Sequence, residues 1–474
     1  MLNNNSLGYS NYQDLEYYVI FNSSVNSGIS RSQLTALILL SIIIFVSVFS
    51  TVLSNKCSSL LNCFNLEINH QALFREGKKS DNFDYILDFY KAVYILIAIF
   101  GHVVIGWNRV SHPIFLDTLN SAWKRGDIAS MDASALFGSF NVSFTACILV
   151  HKVFKKSKAL KDVIFKRTSQ VLSVCFVSML LLIILPIFIR SSTNKVLEES
   201  SSTCSSSFKE LLFVSNLGDV HDTCIMVSWS QSLEIQLTLL FLIPLIFLKL
   251  NKKMGVACIS IMITLGLVGH FLLLESIPSS FRTIMSFAPP FEDATERMRL
   301  LYFHPVGHVA SFGVTILTAY LFINHGHNKE KNLFNHLSIV GVYCIFWIHT
   351  NLYNGVGVTT DFSRSTQILV GLLIRPMFAW IFISFLNAFD YILIKFISHR
   401  FFTLLSRMAL SVYISHLVLV NLLQSQMQMP FVFSQSGHLF YASLMLPMSL
   451  ILGYLVVLFV EYPVRNVVKE LTKI

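Results

Sequence analysis

The sequence predicts an all-α polytopic membrane protein of about eleven transmembrane helices. Hydrophobic residues make up 54% of the chain and charged residues only 13%. Apolar runs of about 20 residues, the length that crosses a bilayer, recur from one end to the other. Basic residues gather in the short loops between these runs, as orientation signals do. A single soluble core is excluded.

The first run, 34–53, follows a polar tail (1–33) and has an apolar core too long for the h-region of a signal peptide, so it reads as a retained anchor, 34–54. A charged stretch, 55–84, reads as a cytosolic linker. The remaining runs lie near 85–107, 135–153, 168–189, 229–249, 254–274, 303–324, 335–353, 366–389, 402–424 and 439–461. They form one transmembrane unit, 85–463, followed by a short tail, 464–474. No repeat at a fixed period and no second domain is visible.

Assigning alternate loops to two sides puts about 21 of the 35 Lys and Arg on one side and about 11 on the other. The richer side holds "HKVFKKSKALKDVIFKR" (151–167) and "KLNKK" (249–253) and is expected to be cytosolic. The N-terminus is then outside or lumenal and the C-terminus cytosolic, in the plasma membrane or endoplasmic reticulum. Asn-x-Ser triplets at Asn4 and Asn22 fall in the outer tail, as this orientation requires. The net charge of +9 belongs to these loops, and no nucleic-acid partner is expected.

Of eight cysteines, Cys147, Cys175, Cys258 and Cys344 lie within spans, and Cys57 and Cys63 lie in a cytosolic loop, where thiols stay reduced. Cys204 and Cys224 share one outer loop and are expected to pair, against two unpaired surface thiols.

Ionisable groups inside spans cost free energy and mark candidate sites. Lys91 and His102 are eleven positions apart in "DYILDFYKAVYILIAIFGHVVIGW" (84–107). That is about three helical turns, so they share a face about 16 Å apart along the axis. Lys91 reads either as a snorkelling side chain or as a functional cation. His102 reads as a packed, interfacial or catalytic residue. In "SWSQSLEIQLTLLFLIP" (228–244) Trp229 suits an interfacial anchor, and Ser230 and Glu234 lie one turn apart on one face. Glu234 is either a helix-start acid or an inward polar site. Arg375 is too deep for snorkelling and needs a partner, for which Glu234 is a candidate. His416 is a packing histidine or a ligand contact. On the orientation map, His102, Glu234 and His416 fall in the outer half and Lys91 near the cytosol. No cluster has metal-ligand spacing, and no nucleotide-cofactor fingerprint is present, so no bound cofactor is expected.

Taken together, these stretches resemble the membrane acyltransferase 3 family, and within it the nose-resistant-to-fluoxetine-like animal branch. Lys91 to His102 is similar to the family's basic residue, ten positions and histidine, and "WSQSLEIQ" (229–236) is similar to its Trp-Ser-x-Ser-x-Glu-x-Gln motif. "LLSRMALSVYISHLVLV" (404–420), "FVEYPVRNVVKEL" (459–471), "LNCFNLEINHQALF" (61–74) and the 204–224 loop extend the likeness. Lysine stands at 91 where the family has arginine, His308 stands at a family arginine, and "SFNVSFTACILV" (139–150) replaces an Asp-x-Phe-Phe-x-x-Ser-Gly stretch.

The resemblance implies ten core helices after an N-terminal span and acyl transfer from an acyl-CoA co-substrate to a hydroxyl-bearing or lipid acceptor. His102 and Glu234 would be catalytic, and Lys91, Trp229, Ser230, Arg375 and His416 substrate-binding. The alternative is a non-catalytic relative that binds or transports lipids or small apolar molecules.

The topology is open to test by single-cysteine labelling of intact cells. The 190–228 loop is expected to react with an impermeant reagent and the 151–167 loop only after permeabilisation.

Overall fold

A computed structural model describes residues 29–53, 58–75, 82–105, 141–188, 195–218, 222–276, 298–325, 341, 394–426 and 435–472, together with 372–373, 375–377 and 379–381. The described residues form helices and no strands.

Among the described residues, seven helices are long and apolar enough to cross a membrane, and a bent pair makes up to eight. The protein is thus a helical, multi-pass membrane protein. The 335–353 span lies outside the described residues apart from Gly341, and only part of the 366–389 span is described.

Helix α1 (Arg31–Val52) opens with a capping box: Gln33 donates its backbone N–H to Ser30 Oγ, and Ser30 N–H donates to the Gln33 side chain. Its most apolar window is only 17% buried, so most of its side chains face outward, as lipid-facing side chains do. The chain then turns through Ser59–Asn62 into α2 (Leu66–Phe74), which Asn65 caps.

Residues 58–75 of the region read as a linker are therefore docked structure. Buried Asn69 of α2 donates to the Cys63 and Leu458 carbonyls and accepts from Asn466. Arg407 donates to the Leu73 and Arg75 carbonyls, where a cation satisfies the exposed end of a helix.

Helix α3 (Asn82–Ile105) carries Lys91 and His102 and packs along α10 (Arg400–Gln426). A helix over 141–150 relaxes into a π-helical turn at His151–Lys155. Helix α4 (Leu160–Phe188) begins earlier than the sequence suggests and draws Arg167 out of the loop into the bundle. Helix α5 (Lys195–Ser206) leads into a loop closed by the Cys204–Cys224 disulfide. Glu210 fastens that loop by accepting the backbone N–H groups of Cys224 and Ile225. Cys147, Cys175 and Cys258 are free thiols, and Cys63 Sγ donates to the Ser59 carbonyl; Cys57 and Cys344 lie outside the described residues.

The span expected at 229–249 is broken into α6 (Ser228–Leu240) and α7 (Leu242–Leu250), bent by 44° at Phe241. Helix α8 (Lys252–Ser276) lies against α9 (Val306–His325). A Cβ added at Gly266 would stand 2.8 Å from the Val309 side chain, which is why glycine sits at this crossing. Helix α11 (Gln435–Val456) runs through a π-helical segment, Val457–Glu461, into α12 (Tyr462–Leu471). The core is centred on two clusters, one among α3, α4, α10 and α11, the other among α6, α9 and the 141–155 helix.

Asn69→Leu is expected to destabilise the protein by about 1–3 kcal/mol, because the Leu458 carbonyl and the Asn466 amide lose a buried partner. Thermal unfolding in lipid nanodiscs measures this.

Candidate functional site

Lys91, about two and a half turns into α3, lines a cavity of about 630 Å³. The walls come from α3, the 141–155 helix, α4, α6, α10 and the segment 461–472. Among the described lining residues, the basic side chains are Lys91, Lys152, Lys158, Lys166, Arg167, Arg407, Arg465 and Lys469, and the acidic ones are Asp88, Asp162, Glu234 and Glu461. Eight against four leaves a formal excess of four positive charges. Lys158, Arg465 and Lys469 are exposed at the mouth, whereas Lys91, Lys152 and Arg167 lie further in. The inner wall is apolar and aromatic, with Tyr94, Phe144, Ile148 and Tyr413.

Arg167 and Glu234 form the centre of this wall. Arg167 Nε donates to Glu234 Oε1 at 2.6 Å and Nη2 to Oε2 at 2.8 Å, a bidentate pair. Nη2 also donates to the Gln231 side chain at 3.2 Å. The sequence assigned Arg167 to a loop and offered Arg375 as the partner of Glu234. Glu234 belongs instead to Arg167, about two turns into α4. It lines the same cavity as Lys91, and His102 is not among the described lining residues. An arginine at the very edge of a span followed by "TSQ" was the available signal, since a planar guanidinium suits a half-buried ion pair better than a snorkelling one.

His102 and His416 are brought together although 314 positions apart, with His102 Nδ1 2.8 Å from His416 Nε2 and the rings nearly parallel. The hydrogen bonds fix the tautomers of the neutral pair. His416 Nδ1 is 2.7 Å from the Tyr413 carbonyl, which only accepts, so Nδ1 carries the proton and Nε2 the lone pair. His102 Nδ1 must then donate to that lone pair, which leaves His102 Nε2 unprotonated and basic.

The histidine pair is not among the described residues lining the cavity. Tyr413 lines it and lies 5.9 Å from the His102 ring, with Tyr94 at a tilt 5.8 Å from Tyr413. Ser230 donates to the Tyr413 hydroxyl at 3.0 Å and so holds the tyrosine in place. These two tyrosines, and Glu461, which accepts from Ser411 at 2.6 Å, were not singled out from the sequence.

Trp229 is 5% exposed and packs on Tyr302 and Phe303, so it is a buried packing residue and no interfacial anchor. Neither Trp229 nor Arg375 is among the described residues lining the cavity. Arg375 is fully buried and, among the described residues, donates only to the Gly307 carbonyl, at 3.4 Å. Among the described residues no group of three or more His, Cys, Asp or Glu has the geometry to hold a metal ion.

No protein-family model, curated protein or solved structure matches this chain.

Arg167→Leu is expected to cost about 3 kcal/mol, the low end for breaking a buried pair, because the Arg167 side chain is 32% exposed. Arg167→Leu with Glu234→Leu is expected to recover most of that loss. Thermal unfolding of the single and double variants reads the difference.

Proposed function

We propose that this protein is an integral membrane O-acyltransferase of the acyltransferase 3 kind, in its nose-resistant-to-fluoxetine-like branch. In this reading eleven spans cross the membrane, with the N-terminus outside or lumenal and the C-terminus in the cytosol. The observation that supports it most is the cavity: cationic at its mouth, apolar and aromatic within, and lined by two tyrosines, one of which lies beside the imidazole with the basic nitrogen. A donor with an anionic head and an apolar acyl arm, such as acyl-CoA, matches that gradient.

The head engages Lys158, Arg465 and Lys469, and Lys91 takes an anionic group deeper in. With the acyl arm drawn past Tyr94 and Tyr413, the thioester meets His102. His102 Nε2 takes the proton of the acceptor hydroxyl, the oxygen bonds to the acyl carbon, the carbon–sulfur bond breaks, and the departing thiolate receives the proton. General-base help of this kind is worth about 10²–10⁴ in rate. His416 orients the imidazole and fixes its tautomer. Glu234 acts through Arg167, shaping the charged wall, where the resemblance implied a catalytic role.

A second reading, a non-catalytic protein that binds or moves lipids or small apolar molecules, draws on one specific observation: His102 is not among the described residues lining the cavity. The replaced Asp-x-Phe-Phe-x-x-Ser-Gly stretch at 139–150 points the same way.

Incubation of the purified protein with labelled acyl-CoA separates the two. Coenzyme A release with an acylated product is expected, and stoichiometric binding without turnover would favour the second reading. His102→Ala is expected to abolish transfer in a protein that still folds. Lys91→Arg should keep activity, and Lys91→Ala should raise KM for the donor by about tenfold, the equivalent of one lost charge contact of about 1.4 kcal/mol.

A further inference from the structure

Apart from the cavity, the bundle buries a second cation. Arg375 is 0% exposed, and among the described residues its Nε and Nη2 have no hydrogen-bond partner. Arginine stays charged in proteins, and a buried charge without a counterion is destabilising.

Arg167 supplies the internal comparison. On Arg167 the same edge, Nε with Nη2, holds both oxygens of Glu234. Two parallel N–H groups fit the two oxygens of a carboxylate. Around Arg375 the described titratable neighbours are His308, His270 and Tyr302, and none is a carboxylate. His308 donates Nε2–H to the Tyr302 carbonyl at 2.8 Å, and its buried Nδ1 also lacks a partner.

The surroundings describe the rest of the ligand. Leu372 lies three positions before Arg375, on the same helical face, and packs with Leu274 and Leu300. Trp229 stands 6.4 Å from the His308 ring. A carboxylate head at Arg375 would therefore lie beside apolar and aromatic surface.

We infer that Arg375 and His308 form a second binding site, for an organic carboxylate with an apolar or aromatic body. The side-on edge of the guanidinium takes the two carboxylate oxygens, and the Leu372 face and Trp229 take the body. The inference does not depend on acyl transfer. It is tested by binding without any donor, so its failure leaves the acyltransferase reading standing.

The probe is sodium benzoate, added to full-length protein in phosphatidylcholine nanodiscs, with benzamide as its uncharged isostere and sodium chloride at equal ionic strength as the anion control. Benzoate is expected to raise the unfolding midpoint saturably, at a half-saturating concentration at least tenfold below that of benzamide, with no matching effect of chloride. Arg375→Lys, which keeps the charge but loses the fork, should weaken the benzoate response at least tenfold, whereas Lys91→Ala should retain it. Equal responses to benzamide or chloride, or a benzoate response lost in Lys91→Ala and kept in Arg375→Lys, would overturn the site. If Arg375→Lys does not fold, wild-type protein is photolabelled with 4-benzoylbenzoate. Adducts within 298–309 or 372–381 support the site, and adducts confined to the cavity walls overturn it.

Discussion

The bidentate contact between Arg167 and Glu234 fixes how the middle of the bundle is assembled. A carboxylate 6% exposed on a helix that starts inside the protein has to meet a cation or lose its charge, and Arg167 meets it with two N–H groups. That contact ties the long α4 to α6, the first half of the broken pair. Lys91, Glu461 and Asp88 add charges of both signs to the same cavity lining. Charge neutralisation inside the wall is what leaves the unpaired positive charge at the mouth.

At the histidine pair a different logic holds. Among the described residues, His102 and His416 share no carboxylate; they are oriented by a chain of hydrogen bonds that ends on a backbone carbonyl. Because a carbonyl only accepts, one geometric fact at Tyr413 decides the proton positions on both rings. The tyrosine is thus tied at three points: its carbonyl to His416, its hydroxyl to Ser230 and its ring to Tyr94. A disturbance in α6 therefore reaches the histidines without passing through any charged group.

The helical, multi-pass architecture was legible because lipid demands long apolar runs, and long runs are the strongest signal a sequence carries. Lys91 and His102 were legible as a pair because helical periodicity alone puts them on one face. What periodicity on one helix cannot supply is the neighbour on another. The Arg167–Glu234 pair joins residues 67 positions apart, and His102–His416 residues 314 apart. The start of α4 was misplaced for the related reason that its first turns carry "LKDVIFKR", which hydropathy assigns to a loop while packing against α12 and α10 makes it helix. Trp229 looked like an interfacial anchor because that is where isolated tryptophans go. Burial against Tyr302 and Phe303 overrode that preference.

Arg407 has two duties at once. It lines the cavity, and its guanidinium closes the end of α2 by binding the carbonyls of Leu73 and Arg75. The helix ahead of the main bundle is thus a buttress for one cavity wall and not a leader that can be trimmed. Deleting the chain up to the start of α3, a natural choice when engineering a smaller version, would set that guanidinium loose beside the mouth. The shortened protein would keep every group of the histidine pair and yet present a differently charged entrance.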